Sequence, residues 1–334
     1  MRRRVPLPEV LLLILLLAVQ ALSIRSYLAS GLEAKEAEGS LIVYIEPGTG
    51  SWRIAEILRE AGVIRSRLLF FLAAFARGSH ARLRPGEYEF NPGMSLVEVL
   101  RKLEKGEVLV HQVAIPEGFT VKEIGRLLAA EGLVDEGRFL ATASNRELVN
   151  KSGLEGDSFE GYLFPDTYRL TKGMTEEAIV QMMLNRFRQV FGPAEGERAK
   201  ALGMNLREVV TLASLIEKEA HASEERALIS AVFHNRLKLQ MPLQSDPTVI
   251  YALPTFSGRL RQADLAAPSP YNTYLYQGLP PGPIANPGRA SILAALYPAP
   301  VNYLYFVSRN DGTHVFSRSL VEHDQAVRKY QRGG

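Results

Sequence analysis

The 334-residue chain contains no cysteine, so no disulfide holds it and no thiolate can act as nucleophile or metal ligand. Absence of cysteine suits a protein that folds outside the cytoplasm and must avoid mispairing, but many cytosolic proteins lack it too. Charge imbalance is also lacking: 39 basic residues stand against 36 acidic ones, a net +3. No basic arm or stripe stands out, and nucleic acid is therefore not expected as a partner. The signatures of phosphate and metal chemistry are missing too. There is no Gly-rich loop opening a helix, no HExxH and no GxSxG, and His80, His111, His221, His234, His314 and His323 fall at no ligand spacing. No metal and no cofactor is expected. Carboxylates, amides and aromatics are what remain for chemistry, and that combination favours glycosidic bonds.

With 46% hydrophobic residues the chain can bury a sizeable core, and its length suggests two domains. Arg2, Arg3 and Arg4 precede an apolar run from Val10 to Ile24 that is interrupted only by Gln20 and Ser23. A membrane span needs about 20 residues, a length this run approaches only with Val5 to Pro8 included across Glu9; flanked by charge, it reads as a transmembrane anchor with its arginines in the cytoplasm. A cleaved signal peptide, cut near Ala21-Leu22-Ser23, is the rival reading. Residues 1–29 are thus taken as cytoplasmic tip and anchor, and 30–40 as a small, charged linker.

Leu41 to Ile45 reads as a strand, followed by a helix capped by Ser51, a helix beginning at Ser66, a strand over Tyr88–Phe90 and a helix capped by Ser95. Tyr44-Ile45-Glu46-Pro47-Gly48 and Ala114-Ile115-Pro116-Glu117-Gly118 form a weak internal repeat, each followed by a helix. The phrase over residues 41–109 resembles the LysM module, a small β-α-α-β glycan binder; an ordinary strand-turn-helix reads equally from the pattern. Farther on, helices are expected over Thr175–Phe191, Leu206–Ala220 and Ser223–Leu239. The Pro-, Gly- and Tyr-rich stretch from Leu243 to Pro287 reads as a long functional loop. A hairpin around Asn310-Asp311-Gly312 and a helix over Leu320–Tyr330 close the chain.

Four segments carry candidate chemistry. The helix ending TLASLIEKEA (Thr211–Ala220) bears Glu217 and Glu219. At about 100° per residue they point in different directions, and both have apolar helical neighbours. The helical wheel does not choose between them, nor does it exclude two solvated charges at a helix end. In EGYLFPDTY (Glu160–Tyr168), Glu160, Tyr162 and Asp166 mix aromatics with acids, as a sugar face requires, although a structural turn reads the same way. NRLKLQMPLQSDPTVIY (Asn235–Tyr251) offers Gln244, Ser245 and Asp246. SPYNTYLYQGLPPGPIANPG (Ser269–Gly288) offers Tyr271 and Asn272. Amides and hydroxyls on stiff loops suit neutral sugar hydroxyls and acetamido groups.

Together these four segments, in this order behind an N-terminal apolar run, resemble the MltG/YceG family of endolytic murein transglycosylases over nearly the whole chain. The resemblance implies an α+β fold: an N-terminal transmembrane helix, a LysM-like module at 41–109 and a larger, mainly helical catalytic domain at 110–334 with strands and long ordered loops. It implies cleavage of the β-1,4 bond between N-acetylmuramic acid and N-acetylglucosamine in nascent strands. Glu217 matches the family's acid/base, and Gln244, Ser245, Asp246, Tyr271, Asn272, Glu160, Tyr162 and Asp166 are candidates for holding the sugars. It further implies peptidoglycan strands as substrate, a single-pass location in the cell membrane with the catalytic domain outside, and a strand-synthesising polymerase as partner. A non-catalytic glycan-binding scaffold, and a hydrolase using Asp246 or Glu160 as second carboxylate, are the alternatives.

Overall fold

The computed structural model describes residues 39–256 and 258–331, together with 15–16, 18–23 and 26. The expected anchor therefore lies largely outside the described residues. Among the described residues no helix is long and apolar enough to cross a membrane. The chain divides into two compact units. The first runs to His111 and takes in Arg169–Gly173, and the second comprises Gln112–Tyr168 and Met174–Gly334. A division at a single point in the sequence does not contain the Arg169–Gly173 excursion.

In the first unit β1 (Leu41–Ile45) is followed by α1 (Ser51–Glu60), α2 (Arg67–Ala76), β2 (Gly86–Phe90) and α3 (Leu96–Lys105). The β-α-α-β order is the one the sequence predicts. β1 and β2 pair antiparallel with Val43 opposite Tyr88. Ser95 and Glu98 form a reciprocal capping box at the start of α3, and Leu96, Val99, Leu100 and Leu103 then line one face at helical spacing. That face packs on Val43, Ile45, Ile54, Leu58, Phe70, Tyr88 and Phe90. Gly50 rather than Ser51 is the N-cap of α1, so that helix starts without a side-chain cap. The excursion closes on this unit: Lys172 Nζ lies 3.4 Å from Glu87 Oε1 and 5.3 Å from the Tyr44 ring centre. The other Glu87 oxygen meets His111 Nε2 at 2.6 Å.

β3 (His111–Ala114) and β4 (Thr167–Leu170) are the paired strands at which the chain passes between units. The second unit is mainly helical: α4 (Val121–Ala130), α5 (Glu136–Ala143), α6 (Arg146–Lys151), α7 (Glu176–Val190), α8 (Pro193–Ala201), α9 (Leu206–Glu219), α10 (Arg226–Lys238), α11 (Asp246–Ala252), α12 (Arg289–Leu296) and α13 (Leu320–Tyr330). β5 (Tyr305–Ser308) and β6 (His314–Ser317) form the expected hairpin, with Phe306 opposite Phe316. The stretch from Leu243 to Pro287 is not loop throughout. Asp246-Pro247 opens α11, because proline belongs in a helix's first turn, where its missing N–H costs nothing.

α9 is the centre of this unit. An Asn205–Glu208 capping box starts it, and every residue from Val209 to Ile216 is buried. A helix buried all round must be enclosed by neighbours, and α12, α10, α11 and α8 pack against it. Each large apolar side chain so buried stabilises the fold by roughly 1.5–3 kcal/mol. The helix emerges from its packing at its two ends, Leu206–Glu208 and Glu217–Glu219.

Gly161 shows how tight that packing is. It has φ +89°, and an added Cβ would stand 2.5 Å from Pro283 Cγ and 2.8 Å from Val210 Cγ1. Gly161→Ala is expected to destabilise the protein by about 2 kcal/mol or more, through backbone strain and overpacking together. A lowered urea midpoint checks this, and an unchanged midpoint would show that the backbone there can relax.

Candidate active site

Glu217 lies in the last turn of α9. Its Oε2 accepts the Gly288 N–H at 2.9 Å, and its Oε1 lies 3.7 Å from Arg226 Nη2. Its side chain is only 7% exposed and that of Arg226 17%, so the ion pair is screened far less than a surface pair. Arg226 is fixed in turn by its Nε donating to Ser291 Oγ at 3.2 Å. Gly288 is the N-cap of α12 and has no side chain with which to cap it. The Glu217 carboxylate supplies negative charge at that helix start, where the dipole favours it.

A second carboxylate stands at the same place. The Glu117 carboxylate fills the position a side chain at Gly288 would take: a Cβ there would overlap Glu117 Oε1. Partial burial of the carboxyl and, next, the Glu217 charge push its pKa above the ordinary value, against the pull of Arg226. Glu117 belongs to the Pro-Glu-Gly turn of the internal repeat. Its neighbour Gly118 has φ +77° and donates its N–H to Asn286 O at 2.9 Å. Lys218 Nζ reaches Gly118 O at 3.4 Å.

Behind these groups lies a buried polar cluster. The Asn286 side chain donates to Phe119 O (2.8 Å) and Glu160 Oε1 (3.0 Å) and accepts from Leu163 N (2.9 Å). Glu160 also receives Val121 N–H at 3.1 and 3.2 Å, at the first turn of α4, and Tyr251 O–H at 3.4 Å. Burial pushes Glu160 up to about 8, despite donors that favour the charged form. Glu160 thus holds backbone in place rather than facing solvent.

The other predicted residues fall elsewhere. Gln244, Ser245 and Asp246 gather around Glu219, not Glu217. Ser245 Oγ donates to Glu219 Oε1 at 2.6 Å, and Tyr274 O–H donates to Asp246 Oδ1 at 2.5 Å. Burial raises Glu219 to about 7. Glu219, Gln244 and Asp246 line a cavity of about 420 Å³ together with Arg236, Tyr274 and Phe306. Gln244 adopts a left-handed φ of +51°, a strained conformation for a residue with a side chain. Tyr271 leans on Tyr251, with ring centres 5.0 Å apart. Asn272 is fully buried, and its amide is occupied by Leu265 O, Ala267 O and Tyr274 N. Tyr162 is a core ring set edge-on to Phe187. Asp166 is paired with Arg186 at 2.6 Å, and the Thr167 N–H and then Arg186 hold it below its usual range.

Sequence reasoning passed over Glu117, Arg226, Asn286 and Gly288 as site residues. The repeat marks the Glu117 turn, and Asn286-Pro287-Gly288 closes the segment SPYNTYLYQGLPPGPIANPG. Nothing local signals that the two meet.

Glu160 generates a pH prediction. It binds its proton more tightly folded, at about 8, than at the ordinary 4.5. The stability it contributes is full below about pH 4.5 and is lost as pH rises towards 8. Urea midpoints at pH 5 and pH 8 should therefore differ less in Glu160→Gln than in the parent; an unaltered difference would mean that Glu160 is ionised in the fold.

The profile of the YceG-like family matches residues 43–329. The chain is 35% identical to an endolytic murein transglycosylase of Bacillus subtilis (strain 168) over 89% of its length and 86% of that protein's. It is 29% identical to an endolytic murein transglycosylase of Streptococcus pneumoniae serotype 2, over 86% of its own length but only 58% of the pneumococcal protein's. A crystal structure of a yceG-like protein from Listeria monocytogenes superposes with TM-score 0.61 at 31% identity, over 86% of this chain and 99% of that one. The chain belongs to the YceG-like family.

Proposed function

We propose that the chain is an endolytic peptidoglycan lytic transglycosylase with Glu217 as its acid/base. The observation that carries the residue assignment is the fixing of one carboxylate at the end of an otherwise buried helix. A backbone N–H and a guanidinium orient it. The activity is supported by the names of relatives at up to 35% identity.

Glu217 first protonates the glycosidic oxygen between N-acetylmuramic acid and N-acetylglucosamine. It then accepts the proton of the muramyl C6 hydroxyl as that oxygen closes a 1,6-anhydro ring. One residue serves twice and water is not consumed, unlike in a hydrolase with two working carboxylates. Gln244, Asp246 and Tyr271 are the candidates for meeting sugars. Glu160, Ser245 and Asn272 brace the segments that carry those groups, whereas Tyr162 packs in the core and Asp166 is paired with Arg186. The β-α-α-β unit at 41–109 would act as a LysM-like glycan binder. The apolar run before Ile24 would hold the enzyme in the cell membrane beside the strand-synthesising machinery.

A second assignment, Glu219 as proton donor, draws on a specific observation: that carboxyl titrates near 7 and faces the cavity shared with Asp246. The full chain, incubated with uncrosslinked glycan strands, decides by mass spectrometry of the ends. Anhydro-muramyl ends are expected; reducing ends would make it a hydrolase, and uncut strands that co-sediment would make it a scaffold. Glu217→Gln should lower the cutting rate by about 10²–10⁴-fold while strands still bind. If Glu217→Gln cuts normally and Glu219→Gln does not, the acid is Glu219.

A further inference from the structure

A lone acid/base leaves Glu117 without a role, yet the chain keeps a glycine to make room for it. Gly288 has φ −74° and ψ 170°, ordinary extended backbone open to any residue. Its missing side chain is therefore not explained by conformation. It is explained by space, because a Cβ at 288 would occupy the Glu117 carboxylate's place. The same residue donates its N–H to Glu217. One backbone position thus gathers two carboxylates, and the ion pair within reach of both is Arg226.

We propose that Glu117 is a positioning residue for the cleavage reaction, acting through Glu217: its carboxylate stands beside that of Glu217 at Gly288, where one negative charge opposes a second. The inference rests on the reading of Glu217 as acid/base. Two like charges close together resist simultaneous ionisation, and the Glu217 charge adds to burial in raising Glu117 above its ordinary value. The charged groups facing the pair are Arg226 from α10, which favours ionisation, and Lys218 from α9, whose ammonium is turned to the Gly118 carbonyl. Arg289, the first residue of α12, follows Gly288 directly. In the cycle, the proton leaves Glu217 for the glycosidic oxygen as the C–O bond breaks. The C6 hydroxyl proton returns to Glu217 as the anhydro C–O bond forms, and no other reagent is consumed.

The test is the pH profile of strand cleavage by the full chain, with Glu117→Gln and Gly288→Ala beside the parent. Glu117→Gln removes the neighbouring charge without changing shape. Gly288→Ala keeps the charge but displaces the flexible carboxylate end from its niche. Both should move the alkaline limb of kcat/KM to lower pH by about one unit, or roughly tenfold in rate at the parent's limb, with strand co-sedimentation unchanged. A limb that stays put in both variants overturns the proposal, even if the rate falls uniformly, because a structural role alone scales the profile without shifting it. Glu217→Gln, run in parallel, separates the two failures. If it still cuts, the assignment of Glu217 fails; if it is dead and the limbs do not move, only the role of Glu117 fails.

Discussion

The site depends on one buried amide. Asn286 uses both ends of its side chain and its own backbone to join segments distant in sequence: the turn at 118–119, the loop at Leu163 and the approach to α12. A buried amide with every group satisfied contributes direction as well as stability, because no alternative geometry satisfies it equally. The Glu160 carboxyl completes the arrangement by reaching from Asn286 to the start of α4. Two residues beyond Asn286 the chain presents the Gly288 N–H to Glu217, and one residue before Gly118 it presents Glu117. The carboxylates meet because the amide behind them fixes both backbones.

α9 then divides the chemistry by its periodicity. Glu217 and Glu219 leave the helix on different sides and enter different surroundings. One sits among a guanidinium, a backbone donor and a second acid; the other is buried against a serine and opens on a cavity with Asp246. Two glutamates two residues apart thus have independent electrostatics, since what surrounds each comes from a different part of the unit.

Local features were legible in the sequence. The caps at Ser66, Ser95 and Thr175 start helices where their side chains accept backbone N–H groups. The Asp-Gly hairpin and the terminal helix after Ser319 stand where alternation and periodicity place them. α11 escaped because a seven-residue helix inside a Pro-rich stretch has too few turns to show a period. The site residues were legible by type but not by grouping. Gln244 and Asp246, candidates for holding the sugars, lie with Glu219, and Asn272 is a buried brace. Glu117 and Gly288 are 171 positions apart by their numbers, and no pattern of one chain read locally couples such a pair.

The short excursion of Arg169–Gly173 into the first unit carries a consequence for anyone dissecting this protein. The β-α-α-β unit is not a cassette that two cuts can free. A fragment ending at His111 would lack Lys172, the cation that stands over Tyr44 and beside the largely buried Glu87. That acid would then be left to a histidine alone, its balance dependent on whether the imidazole is charged. Recombination between relatives faces the same restriction. A graft that exchanges the N-terminal unit must carry the five-residue return segment with it, or accept a mismatched closure at Glu87.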